Sequence, residues 1–318
     1  MNTPVNTIDW LLHSDPAIRW QTMRDLTAAS AEAITLERTR IPHEGLGAEI
    51  LAKQQLDGAW RCDGAPVWLT TLFTMQLLRA TGIDPAHPAV VEAATRLESG
   101  VRWNNLGDCW ELRAPETGGN TFFQGEVEPC INGGALASGA YFGRPAESLA
   151  HRLLNEQLED GGWNCEAPKS TRSSFHTTIC VLEGLLEYER AVGPTPEVVS
   201  SRQRGEEYLL KRALFRRLST GEIANPEFLT FAFPSRYHYD VLRALDYFRA
   251  AGHAPDSRFA DTVRIITSKQ QPDGRWLLDA CYDEGIAVSS DETVGEPSRW
   301  NTLRALRVLR WCGRSGLE

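Results

Sequence analysis

The sequence predicts an all-α protein built from repeated pairs of helices, and three observations carry that prediction. The segments KQQLDGAW ending at Trp60, NEQLEDGGW ending at Trp163 and SKQQPDGRW ending at Trp276 share Gln, then Asp-Gly, then Trp, each closing a helix-like apolar pattern. Each is followed by a second segment, Trp68-Leu-Thr-Thr-Leu, Phe175-His-Thr-Thr-Ile or Arg299-Trp-Asn-Thr-Leu, that opens another helix. Those helices continue with apolar residues at helical spacing: Leu72, Met75 and Leu78; Ile179, Leu182 and Leu185; Leu303, Leu306 and Leu309. Alternating β-branched runs are scarce, and Gly and Pro fall between the helical periods.

Taken in order, the N-terminal stretch is helical in pattern from residue 8 to about 36, with Asp15-Pro16 as N-cap and first-turn proline. Residues 1–45 supply one helical pair and 46–313 the repeat pairs. First helices are expected near 47–56, 88–99, 146–158, 200–213 and 257–270, and second helices near 68–81, 130–142, 176–190, 238–251 and 300–312. Two of the second helices are weaker copies, Cys130-Ile-Asn-Gly through Phe142-Gly143 and Tyr237-His-Tyr-Asp through Tyr247-Phe248. In the repeat turn, Gly tolerates positive φ and Asp bonds nearby backbone N–H groups. The Gln can reach exposed backbone at a neighbouring helix end, and the Trp covers the joint. Asp57, Asp160 and Asp273 therefore read as turn formers.

Six such pairs form either an open solenoid or a closed ring. Two features favour closure. The second helices are apolar and rich in Gly, Ala and Thr, as in INGGALASGAYFG, which suits a crowded inner layer. The first helices carry more charge, as in HRLLNEQLED and SSRQRGEEYLLKR, which suits an outer one.

Composition excludes several classes. The 318 residues carry 33 Lys+Arg against 42 Asp+Glu, a net charge of −9, with no dense basic stripe, so nucleic acid is not the expected partner. No apolar run approaches the roughly 18–20 residues of a membrane helix, and the N-terminus lacks the pattern of a signal peptide. Seven scattered cysteines without a CxxC fit a reducing cytoplasm better than a disulfide framework.

The Q-x-x-D-G-x-W repeat, with a helix before and after, resembles that of squalene cyclases and other class II terpenoid cyclases, and of protein prenyltransferase β subunits. The resemblance runs from about Ile50 to Trp311 and implies a single-domain (α/α)6 toroid of six outer and inner helix pairs. Class II cyclases protonate their substrate with a D-x-D-D acid. Here Ser173-Ser174-Phe175-His176 occupies those positions and no D-x-D-D occurs, so squalene cyclisation is not expected. The prenyltransferases hold zinc with Asp-x-Cys at one inner-helix start and His at the next. Phe123-Gln-Gly-Glu-Val-Glu128-Pro-Cys130 is similar to their F-Q-G…D-x-C stretch, and the run from Cys165 to His176-Thr177 to their approach to Tyr-His-Thr. The resemblance thus implies Glu128, Cys130 and His176 as zinc ligands, with Glu126 as an alternative carboxylate. Carboxylate, thiolate and imidazole would leave a fourth position open, as catalytic zinc does. The family's Arg and Lys for a prenyl diphosphate are replaced by Glu126 and Val127, and Ile131 follows Cys130, so a free prenyl diphosphate is expected to bind poorly.

His238 and Asp240, at another inner-helix start, are the candidate acid–base pair. Cys62 and Cys165 hold equal places two residues after the repeat Trp and read as structural. Arg172, Arg236 and Arg299 precede inner helices and read either as solvated helix-end groups or as contacts for an anion. The connections 58–68 and 279–297 are long enough to cover the mouth of a ring. The sequence leads to an enzyme acting on an isoprenoid or other apolar substrate in a hydrophobic central cavity, with zinc as its metal. The alternative is a non-catalytic carrier of a hydrophobic ligand, or an interaction module, on the same scaffold.

Overall fold

Asp15 begins the first long helix by accepting a hydrogen bond from the N–H of Ala17 at 2.7 Å, and Pro16 fixes φ in its first turn. The second Asp15 oxygen accepts from Leu46 N–H at 2.8 Å, so one carboxylate starts this helix and anchors the chain 31 residues further on. The structure is a computed structural model and describes residues 6–103 and 119–313.

Among the described residues the α-helices are α1 (Thr7–Leu12), α2 (Pro16–Leu26), α3 (Ala31–Arg38), α4 (Gly45–Ala52), α5 (Val67–Thr81), α6 (Pro88–Gly100) and α7 (Pro129–Tyr141). They continue with α8 (Glu147–Asn155), α9 (Phe175–Val192), α10 (Pro196–Leu210), α11 (Val241–Ala250), α12 (Ala260–Ser268) and α13 (Arg299–Trp311). The strands described, β1 (Trp276–Leu277) and β2 (Pro297–Ser298), pair antiparallel with Trp276 opposite Ser298. The fold is all-α, and the helices fall close to their expected positions. The N-terminal stretch divides into three helices rather than two. The helix expected from residue 238 starts at Val241, because Asp240 caps it by accepting from Arg243 N–H at 2.7 Å.

The repeat turns work as their residue types dictate. Gln54 and Gln157 each donate to the carbonyl of their own turn glycine and to the first helix of the next pair, at Ala93 (2.8 Å) and Ser201 (2.8 Å). The indole N–H groups of Trp60, Trp163 and Trp276 donate to Ile50, Leu153 and Ile266 carbonyls at 2.7, 2.7 and 2.8 Å, and all three rings are fully buried. Their backbone N–H groups donate to the hydroxyls of Thr71, Thr178 and Thr302, one turn into α5, α9 and α13. A buried tryptophan thus ties each first helix to its partner through satisfied polar groups.

Each second helix packs beside another. Contacts join α5 to α7, α7 to α9, α11 to α13, and α13 back to α2. Trp20 and Gln21 of α2 donate to the carbonyls of Thr81 and Ala80 at the end of α5. Arg243 of α11 reaches Glu183 of α9 at 2.8 Å. The approach of α7 to α9 needs glycine: a Cβ on Gly133 would lie 2.4 Å from Cys180 O, and one on Gly184 2.6 Å from Gly133 O.

Candidate functional site

The turn before α7 is built by Asn132, which accepts from Glu126 N–H at 2.8 Å and donates to Glu126 O at 2.7 Å. This folds Glu126 back so that its carboxylate accepts the N–H groups of Val127 (2.6 Å) and Glu128 (2.7 Å). Glu126 therefore fixes the backbone just before the helix, and Glu128, though at the N-cap position, makes no side-chain capping bond. The Glu128 carboxylate lies 3.8 Å from the Cys130 thiol.

The third member of the cluster comes from the next repeat. Trp163 pairs with Ser174, and Asn164 folds the loop between them by donating to Arg172 O at 2.7 Å and accepting from Glu166 N–H at 2.9 Å. Cys165 then faces the first turn of α9, its sulfur 3.4 Å from the Thr177 hydroxyl. A Glu128 oxygen, Cys130 Sγ and Cys165 Sγ lie within 4.8 Å of one another. Two thiolates bound to one zinc at about 2.3 Å each stand no more than about 4.6 Å apart, so the three donors need only a small adjustment to share an ion. The hydrogen bond between the thiols, reinforced by burial, raises the Cys130 pKa; the same bond, helped by Thr177 against the burial penalty, lowers that of Cys165. Two sulfurs and a carboxylate make a donor set that fits a borderline-soft divalent ion.

His176 is not part of this group. Its Nδ1 accepts from the backbone N–H of Tyr239 at 2.9 Å, and its ring lies edge-on to Phe228 and His238. Burial, with Arg243 nearby, lowers its pKa. The sequence reading groups Glu128, Cys130 and His176; in the structure Glu128 and Cys130 lie together, and the third donor atom near them belongs to Cys165, from the loop before α9. The place of Cys165 beside the repeat Trp was the available signal.

His238 and Asp240 share a segment without a hydrogen bond between their side chains. The His238 ring stacks on Tyr282 at 3.6 Å and on Tyr237 at 4.3 Å, and burial lowers its pKa to about 4. Asp240 is the cap of α11 with Arg304 at 4.0 Å, and burial raises its pKa. Tyr282 belongs to the connection 279–297, which also bonds Thr74 through Ala287 N–H at 3.4 Å and so lies over α5.

Between the second helices is a cavity of about 240 Å³, bordered by residues of α2, α5, α9, α11 and α13. Its lining differs from the hydrophobic one expected, for it includes six guanidinium groups and three carboxylates. Glu183 bonds Arg243 at 2.8 and 2.9 Å with Arg79 at 3.7 Å, and these cations outweigh burial to lower its pKa. Glu187 lies between Arg190 (2.7 Å) and Arg79 (3.6 Å), and Asp246 between Arg307 and Arg249. The sulfur of Cys180, 3.7 Å from Arg243, connects this lining to the thiol side of α9.

No family model and no curated protein matches the chain. A solved structure described as the crystal structure of a protein from Actinoplanes is 16% identical, over 94% of this chain and 90% of that one, with a TM-score of 0.45. No helix among the described residues is long and apolar enough to cross a membrane.

Proposed function

We propose that the chain is a closed (α/α)6 toroid and an enzyme whose metal, zinc or an ion of like chemistry, is held by Glu128, Cys130 and Cys165. Closure is supported by the succession of neighbours α2, α5, α7, α9, α11 and α13, which returns to α2, with α4 beside α6 and α8 beside α10 outside it. A cytoplasmic location belongs to the same reading and suits the free thiols among the described residues. The convergence of one carboxylate and two thiols carries the metal assignment.

Three protein donors leave a fourth position, the arrangement of catalytic rather than structural zinc. When bound there, the ion supplies Lewis acidity toward a substrate oxygen or a more acidic water. Glu126, Asn132 and Arg152, which donates to Glu126 O at 2.6 Å, hold Glu128 and Cys130 in place from behind. An isoprenoid is not proposed as the ligand of the cavity, because burying an apolar chain against six guanidiniums would strip their hydration without replacing it.

Elemental analysis of protein supplied with zinc tests the assignment. The expected content is about one equivalent, lost in Cys130→Ser and Cys165→Ser and retained in His176→Ala. Wild-type protein that stays metal-free under those conditions would leave the carrier reading in its place.

A further inference from the structure

The cavity charges do not cancel. Six guanidiniums against three carboxylates leave an excess of three positive charges (6 − 3) in the lining. Asp25 and Asp240 stand behind Arg307 and Arg304 at 3.6 and 4.0 Å, and counting them still leaves one (6 − 5). Asp283 and Glu284, which also act on Arg236, are exposed and screened by solvent. Two of the lining guanidiniums have donors that no protein acceptor uses. The Arg236 guanidinium donates no hydrogen bond, lies over the Phe73 ring at 4.4 Å, and sits on a backbone at φ +49°, a region few non-glycine residues adopt. Arg304 donates through Nη1 alone, to Ala232 O at 3.0 Å and Asn301 Oδ1 at 3.4 Å. The segment from Ala232 to Arg236 connects the two, and its Phe233 stacks on Trp300 at 4.2 Å with an interplanar angle of 11°.

We infer that this cavity binds a small oxyanion on a compact apolar body, Arg236 and Arg304 taking the carboxylate or phosphate, and Phe73, Phe233 and Trp300 the body. A planar guanidinium with unused donors matches the oxygens of either headgroup and retains its charge at any physiological pH. The volume of 240 Å³ falls below the roughly 300–1,000 Å³ of pockets for drug-sized ligands, which restricts the body to about one ring or a short chain. The inference rests on the cavity at the centre of the proposed ring and needs no metal.

Isothermal titration calorimetry of the full chain with benzoate, phenyl phosphate and the neutral benzyl alcohol tests it, with and without prior chelation. At least one anion should bind, more tightly than the alcohol, and equally well after chelation. Arg236→Gln should weaken that binding about tenfold or more, because it removes a charge-assisted contact. It leaves no acceptor unpaired, so the variant should keep its melting temperature. Arg304→Lys should weaken it as well, and Arg264→Gln, a 72% exposed side chain, should not. The relative affinities of benzoate and phenyl phosphate identify the headgroup. No binding by either anion, affinities no better than that of the alcohol, or an unchanged affinity in Arg236→Gln would overturn the inference. Binding that vanishes on chelation and returns with zinc would assign the anion to the metal instead and overturn the arginine site alone.

Discussion

The backbone N–H of Tyr239 donates to Nδ1 of His176 at 2.9 Å, joining the first turn of α9 to the segment before α11. An imidazole nitrogen that accepts such a bond is unprotonated, so the neutral ring carries its proton on Nε2. That bond holds His176 against Phe228 and His238 rather than against the thiols.

Nitrogen-15 NMR of the histidine rings should find His176 as the Nε2–H tautomer at pH 7. Replacing it with alanine orphans the Tyr239 N–H and should cost about 1–3 kcal/mol of stability. An Nδ1–H tautomer would contradict the placement of the ring.

Trp163→Ala should destabilise by about 3–5 kcal/mol in urea unfolding, through loss of a fully buried ring and of the bond to Leu153 O. Gln157→Ala, which removes the link to Ser201, should cost less, about 1–2 kcal/mol. Equal small effects would mean that the repeat turn is not the joint between helix pairs.

These turns are the part of the fold most legible in the sequence, because Asp-Gly, Gln and Trp act locally and at fixed spacing. The start of α11 was misplaced by three residues since Asp240 could be read as a catalytic group or as a cap, and the local pattern permits both. The cavity lining was missed for a different reason. A helix packed on every side has no solvent face, so its polar stripe marks an internal space. Glu183, Glu187 and Arg190 recur at i, i+4 and i+7 on α9, and Arg304 and Arg307 at i, i+3 on α13, which was the readable signal. The approach of Cys165 to Cys130 depends on the path of a loop fixed by Asn164, and no periodicity encodes that path.

Arg243 and Glu183 form a two-bonded ion pair, and Arg243 also donates to the carbonyls of Arg236 (2.9 Å) and His238 (2.6 Å). Arg243→Met should lose about 3–5 kcal/mol, since Glu183 and both carbonyls are left without their donor. The double variant with Glu183→Gln should lose less than the sum of the two single changes, as measured by a urea double-mutant cycle. Strict additivity would contradict the pairing.

His238 gives the stability a pH dependence of definite sign. Burial, His176 and Arg243 lower its folded pKa to about 4, while the unfolded chain takes up the proton at about 6.5. Between those values the unfolded state binds more protons, so stability declines as pH falls from about 6.5 toward 4. His253 acts oppositely: the bond to Glu206 raises its pKa, so its contribution is complete at low pH and fades as pH rises through that value. His238→Phe retains stacking on Tyr282 and removes the titration, so its melting temperature should drop less than that of the wild type from pH 7.5 to 5. An identical drop would show that His238 is not held neutral.

The metal assignment is tested most directly by the optical spectrum of cobalt-substituted protein, because thiolate-to-cobalt charge transfer reports sulfur ligands and their number. The wild type should show the band of two thiolates, Cys130→Ser and Cys165→Ser should each lose it together with the ion, and His176→Ala should leave it unchanged. A spectrum without a thiolate band, or one that depends on Cys130 and His176 but not on Cys165, would contradict the centre.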